Sequence, residues 1–208
     1  MYKVKLNDSY FPATQDYSVI DCTIGQLLQK TVVERRDTEA LVEITQAGKV
    51  ERRWNYNELY EDGLKLANAL ASRFEKGAHI VVWSPNSPEW VLMEYAAALA
   101  GLVIVTANPA LQENELHYIV EQSKAVALFL VSEFRGNPMS KIAEQAISGN
   151  IAIRELTDMN DHAELFRNKT DNSILPDVQP EDAAQIQYTS GTTGFPKGAI
   201  LSHRGLVN

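Results

Sequence analysis

The sequence predicts an α/β chain: a mainly parallel sheet flanked by helices, with an antiparallel hairpin near the N-terminus. Three observations predict it. Between residues 79 and 131, short runs rich in Val, Ile and Leu alternate with segments of helical period. That rhythm means parallel strands joined by right-handed crossovers. Earlier, residues 40–45 and 49–54 flank Ala47-Gly48 and read as two antiparallel strands. Later, residues 183–188 and 199–202 read as strands on either side of a loop rich in Gly and Thr.

Taken in order, residues 21–36 carry a helical pattern, and the hairpin follows. Asn55 and Glu58 then have capping-box spacing, with Asn in place of Ser or Thr. Leu59, Leu66, Leu70 and Phe74 fall on one helical stripe that Gly77 can stop. His79-Ile-Val-Val-Trp83 reads as a buried strand. Ser87-Pro88-Glu89 suits a helix start: Ser caps, Pro fits the first turn, and Glu meets the positive end of the dipole. That helix runs to Ala100, where Gly101 ends it. A strand over 102–106, a helix over 113–123, a strand over 125–131 and a helix over 137–147 complete the alternation. Residues 150–178 are polar and weakly patterned, with a short helix near 162–167, and 168–180 reads as a surface connector. The chain thus divides into 1–56 (helix plus hairpin), 57–149 (α/β unit), 150–180 (polar connector) and 181–208 (loop hairpin).

Composition narrows the function. A chain of 208 residues can bury one substantial core, or one core and part of another. With 45% hydrophobic and 22% charged residues it is an ordinary globular chain. A net charge of −8 and the lack of a basic stripe argue against a nucleic-acid partner. The lone Cys22 excludes an internal disulfide, suits a reducing compartment, and reads as a small, partly buried apolar residue. The first ten residues have neither the apolar run of a signal peptide nor the Arg-rich look of a transit peptide. The longest run without a charged or strongly polar residue, 95–107, is shorter than a membrane span. A soluble, cytoplasmic protein without a membrane span is the expectation.

Residues 188–199 read Tyr-Thr-Ser-Gly-Thr-Thr-Gly-Phe-Pro-Lys-Gly-Ala. Such a loop lets the backbone bend around a polyanion, its N–H and hydroxyl groups donate to phosphate oxygens, and Lys197 adds a point charge. The spacing is not that of a P-loop, because Gly191 and Gly194 are two residues apart and Lys197 precedes Gly198. Nor is it a Gly-x-Gly-x-x-Gly fingerprint. Gly, Thr and Ser also mark plain hairpins, and composition alone leaves that reading open. Other conspicuous residues carry bland readings. His203 reads as a polar residue at a helix start, although it follows the loop closely enough to reach a substrate. His79, His117 and His162 lack metal-ligand spacing. Asn108-Pro109 shapes a turn at a strand end, Trp83 and Trp90 read as core, and residues 34–37 as a solvated charged face.

The string from Tyr188 to Ala199, followed by Leu201-Ser202-His203, resembles the phosphate loop of the adenylate-forming superfamily: acyl-CoA synthetases, nonribosomal-peptide adenylation domains and firefly luciferase. Trp54-Asn-Tyr-Asn-Glu-Leu59 is similar to the family's Thr-Tyr-x-Glu-Leu segment. Val82-Trp-Ser-Pro-Asn-Ser-Pro-Glu-Trp90, Ala98-Leu-Ala-Gly101 and Ala107-Asn-Pro-Ala110 resemble the acyl-CoA synthetase branch. The resemblance covers nearly the whole chain but only the N-terminal portion of the family fold.

The resemblance implies a reaction in two halves. A carboxylic acid, in this branch a fatty acid, attacks ATP to give an acyl-adenylate and pyrophosphate; the thiol of coenzyme A then displaces AMP. It assigns Thr189, Ser190, Gly191, Thr192, Thr193, Gly194 and Lys197 to the phosphates, with Lys197 also catalytic. It places the main Mg2+ ligand beyond residue 208, and this chain contributes no metal site. The family's Tyr-Gly-x-Thr-Glu segment, its Thr-Gly-Asp and its late lysine are not found in these 208 residues. Residues 1–208 alone are therefore expected not to make acyl-adenylate, and to self-associate through apolar faces at 183–188 and 199–206. A non-catalytic nucleotide- or partner-binding module, or a piece of an adenylation domain serving a carrier protein, stands as the alternative.

Overall fold

A computed structural model of the chain describes residues 7, 18–45, 47–150, 152–167, 175–189 and 196–208. Helix α1 (Ile24–Arg35) opens on a capping box between Thr23 and Gln26. Strands β1 (Glu39–Ile44) and β2 (Val50–Asn55) form the antiparallel hairpin, a two-stranded sheet of its own. Asn55 then caps α2 (Tyr56–Ala71), accepting from the Glu58 N–H at 2.8 Å while Glu58 accepts from the Asn55 N–H at 2.9 Å. The predicted stripe of Leu59, Leu66, Leu70 and Phe74 is buried.

The main sheet begins with β3 (His79–Trp83), followed by α3 (Pro88–Ala100), β4 (Val103–Ala107), α4 (Glu113–Ser123), β5 (Ala127–Leu130) and α5 (Met139–Ala146). Ser87 caps α3, and Gly101 ends it in the left-handed region at φ 67°. A side chain there would also meet Lys76 Cγ at 2.9 Å, so the stop needs glycine twice over. After β6 (Glu155–Asp158) and α6 (His162–Leu165), the chain returns through β7 (Ala183–Thr189), β8 (Lys197–Ser202) and α7 (His203–Val207). The strand order is β6-β5-β3-β4-β7-β8; every pairing is parallel except β7 with β8. Val81, Ile104 and Leu128 lie on one sheet, as the alternation predicts.

Two apolar layers cover the sheet. On one face Leu66, Leu70, Met93 and Ala97 of α2 and α3 pack on Ile80, Val82, Ile104 and Phe129. On the other, Leu116 and Val120 of α4 and Met139 and Ala143 of α5 pack on Val81, Val105, Leu128 and Leu130. Of the two stretches expected to lie uncovered, Ile186 on β7 is buried, whereas Ile200 on the edge strand β8 is 67% exposed.

One strand departs from expectation. The stretch 150–180, read as polar chain with one short helix, does carry that helix as α6, but it also holds β6, which pairs with β5. Its pattern is inverted: Glu155 and Thr157 are buried while Leu156 is 37% exposed. The inward Glu155 is satisfied. It accepts from Arg73 Nη1 and Arg167 Nη2, each at 2.7 Å, and from the Thr157 hydroxyl at 2.8 Å. Arg73, at the end of α2, donates further to the Leu165 and Ala69 carbonyls.

Glu155→Ala leaves the buried Arg73 guanidinium without its counter-charge and should cost about 3–5 kcal/mol. Leu156→Ser, on the same strand and partly exposed, should cost less, about 1–2 kcal/mol. Urea unfolding of both variants checks this, and equal losses would contradict it.

Candidate active site at the strand ends

Strand β3 has a parallel neighbour on each edge, β4 on one side and β5 on the other. The chain leaves β3 into α3 on one face of the sheet, and leaves β4 into α4 on the opposite face. The two connections diverge and open a crevice at the carboxyl ends of β3 and β4. Ligands bind at this switch point in open α/β sheets. A cleft of about 420 Å³ lies there, lined by Asn86 and Trp90 after β3, by Thr106 and Asn108 at the end of β4, and by Gln187, Tyr188 and Thr189 on β7. A cleft of about 500 Å³ beside Arg73 and Lys76 is larger, so position and not size distinguishes the first.

Two hydrogen bonds hold the floor of the cleft together. Trp83 Nε1 donates to the Asn108 carbonyl at 2.7 Å, and Asn108 Oδ1 accepts from the Ala110 N–H at 2.9 Å. Asn108-Pro109 thus shapes a turn, as predicted. Trp83 is fully buried core; Trp90 is half-buried, packed against the core on one side and lining the cleft on the other. It sits in the first turn of α3 at the crevice, where an apolar residue need not be fully covered.

The Gly/Thr loop joins β7 to β8 beside this cleft. Ser190, Gly191, Thr192, Thr193 and Gly194 lie outside the described residues. Thr189, Pro196 and Lys197 are described, and Thr189 and Pro196 line the cleft. Thr189 pairs with Lys197 and Tyr188 with Gly198 across the ladder. Lys197 is exposed, and beyond the ladder its side chain has no hydrogen bond or ion pair among the described residues. At Gly198 a Cβ would stand 2.8 Å from Ile186 Cγ2, too close for any side chain, and 3.4 Å from Tyr188 Cζ, so Ile186 is what requires glycine there and the Tyr188 ring lies in contact beside it. The Tyr188 hydroxyl donates to Gln122 Oε1, and the Tyr118 hydroxyl donates to the Pro196 carbonyl at 3.0 Å. Burial first, and the neighbouring Tyr118 second, push the Tyr188 hydroxyl up to about 12, so it remains a protonated donor at neutral pH.

A family model described as AMP-binding enzyme matches residues 28–208. The chain belongs to this family. It is 30% identical to the mitochondrial medium-chain acyl-CoA ligase ACSF2 of Danio rerio, over 98% of this chain and 37% of that protein. It is 32% identical to ACSF2 of Homo sapiens, over 89% of this chain and 34% of that protein. The inhibitor-bound N-terminal domain of FACL13 from Mycobacterium tuberculosis is similar with a TM-score of 0.73 and 25% identity, over 87% of this chain and 44% of that one. The long-chain-fatty-acid-CoA ligase FadD1 from Archaeoglobus fulgidus shares the fold, with a TM-score of 0.76 at 22% identity over 94% of this chain and 39% of that one. This AMP-binding chain spans little more than a third of the length of the curated relatives it matches. No helix among its described residues is long and apolar enough to cross a membrane.

In this AMP-binding chain the histidines hold structure. His79 Nδ1 meets the Ser123 carbonyl at 2.6 Å and His117 Nδ1 the Ala146 carbonyl at 2.7 Å, while His162 pairs with buried Glu89 at 3.0 Å. Among the described residues no three His, Cys, Asp or Glu side chains gather around one point. His203 starts α7 behind its cap Ser202 and is fully buried, with no partner for either ring nitrogen among the described residues. Burial pushes its imidazole below the ordinary histidine range, which keeps it neutral. Thr106, Gln187, Tyr118 and Gln122 bear on the site yet carry no motif. Only the strand order and the turn of α4 bring them there.

Gly198→Ala forces Ile186 to move and should destabilise by about 1–3 kcal/mol. Gly63→Ala, in the middle of α2 with 3.5 Å to Tyr95 Cβ, should instead be neutral or stabilise by up to about 1 kcal/mol. Thermal unfolding of the pair distinguishes a glycine required by its neighbours from one that is not, and parity between them would refute the packing role of Gly198.

Proposed function

We propose that this chain supplies the phosphate-binding part of an ATP-dependent acid–thiol ligase, which converts a carboxylic acid, ATP and coenzyme A to acyl-CoA, AMP and pyrophosphate. The observation that carries the reading is the cleft between β3 and β4, lined by both stems of the Gly/Thr loop at Thr189 and Pro196. The curated relatives support a fatty acid as the acid, since their names specify acyl-CoA ligases. The lone Cys22 suits a reducing compartment, and we read that compartment as the cytoplasm.

In the first half-reaction a carboxylate oxygen of the acid attacks the α-phosphorus of ATP. The bond to the bridging oxygen breaks, and pyrophosphate leaves with that electron pair. In the second, the sulfur of coenzyme A attacks the acyl carbonyl and AMP leaves. The loop serves the first step. Thr189, Ser190, Thr192 and Thr193 offer hydroxyl donors to the β- and γ-phosphates, and Gly191 and Gly194 let the backbone approach closely. Lys197 balances the charge that builds on departing pyrophosphate. Such catalysis is positioning and charge neutralisation. Magnesium belongs to this reading as a companion of the nucleotide phosphates. The described residues hold no carboxylate cluster for it.

The test is acid-dependent exchange of pyrophosphate into ATP, measured on a polypeptide of the full family length. Lys197→Ala should slow adenylation about 10–100-fold, or roughly 1.4–2.8 kcal/mol, while weakening acid binding less, because its charge matters most in the transition state. Unchanged adenylation in the variant would leave the loop a plain turn. ATP binding without exchange under any acid would favour the non-catalytic module.

A further inference from the structure

Both ends of the Gly/Thr loop are tied to one helix. Tyr118 and Gln122 stand four residues apart on α4, which makes them neighbours on one helix face. Tyr118 reaches the outgoing stem through the Pro196 carbonyl, and Gln122 takes the incoming stem through the Tyr188 hydroxyl. Neither bond belongs to the β7–β8 ladder. The helix itself is anchored, since Leu116, Ile119 and Val120 are buried in the apolar layer beneath it. Gly198 adds a separate constraint: without a side chain there, the Tyr188 ring lies across its strand partner.

We propose that Tyr118 and Gln122 are positioning residues that brace both stems of the loop against α4, so that the loop meets a nucleotide's polyphosphate with its span already set. This deepens the polyphosphate reading given above and rests on it. A loop joined to the rest of the protein only through its own hairpin must be ordered by the ligand, at the expense of affinity. Fixing both ends to a core helix removes part of that cost before binding. Neither residue has to touch the nucleotide. The Tyr188 hydroxyl keeps its proton through the neutral range, so it can donate to Gln122 there.

The experiment compares the 208-residue chain with Tyr118→Phe, Gln122→Met and Gln122→Glu, the last retaining an acceptor for Tyr188. Amide exchange at Thr189 and Lys197 is followed by NMR without ligand, and pyrophosphate binding by calorimetry. Tyr118→Phe and Gln122→Met should each speed stem exchange and weaken pyrophosphate binding roughly three- to tenfold, the scale of one lost hydrogen bond, while melting temperature falls by no more than about 4 °C. Gln122→Glu should restore wild-type stem exchange. Stem exchange unaltered in Tyr118→Phe and Gln122→Met overturns the brace, as does a Gln122→Glu variant that exchanges like Gln122→Met. A wild-type chain that binds no pyrophosphate overturns the polyphosphate reading instead, and the exchange comparison still decides the brace.

Discussion

Strand β3 is paired in parallel on both edges, and that constraint organises the rest of the molecule. Because β4 and β5 flank the same strand, and because crossovers between parallel strands are right-handed, the helices that follow β3 and β4 must lie on opposite faces. The two apolar layers follow from this, one built on α2 and α3 and the other on α4 and α5. So does the crevice where those helices part. β7 then adds on the far edge of β4, which brings the stems of the Gly/Thr loop to that crevice and no other.

Buried charge ties the outer pieces to this frame. Glu155 draws the end of α2, the edge strand β6 and the α6 turn together through Arg73 and Arg167. Glu89, at the start of α3, pairs with Arg52 of the hairpin at 2.7 Å, and Arg52 in turn pairs with Glu43 at 2.5 Å. Burial raises the Glu89 carboxyl, but its bonds to Arg52, to its own N–H and to His162 outweigh that and hold it below the usual carboxylate range. A carboxylate there also meets the positive end of the α3 dipole. The buried members are Glu89, Glu155 and Arg73, so removing the arginine partner of either carboxylate leaves a buried charge under-compensated.

The regular elements were legible because each carried a local signal. The 79–131 alternation, the Asn55 and Ser87 caps and the Gly101 stop all have physical causes within a few residues, and the observed α3 and α4 span the predicted residues. β6 was illegible because its burial runs against hydropathy: Glu155 points in and Leu156 points out, and only the distant Arg73 makes that affordable. The site divides the same way. The loop from Thr189 to Lys197 announces itself by composition, and Asn108-Pro109 by its turn chemistry. Trp90 lines the cleft while also packing on the core its sequence suggests, and Thr106, Gln187, Tyr118 and Gln122 reach the site only through the order of strands and the placing of α4. Pairing order is set by long-range packing, which no window of sequence contains.

Membership of the AMP-binding family and the position of the cleft converge on one central claim: the nucleotide sits between the ends of β3 and β4, against the stems of the loop. Chemical-shift mapping with ATP and magnesium, over the assigned backbone of this chain, tests it most directly. The account predicts perturbations at Asn86, Thr106, Asn108, Gln187, Thr189 and Lys197, with little change around Arg73 and Lys76 on the other side of the molecule. Perturbations centred on Arg73 and Lys76, with Thr106 and Thr189 unmoved, would contradict it.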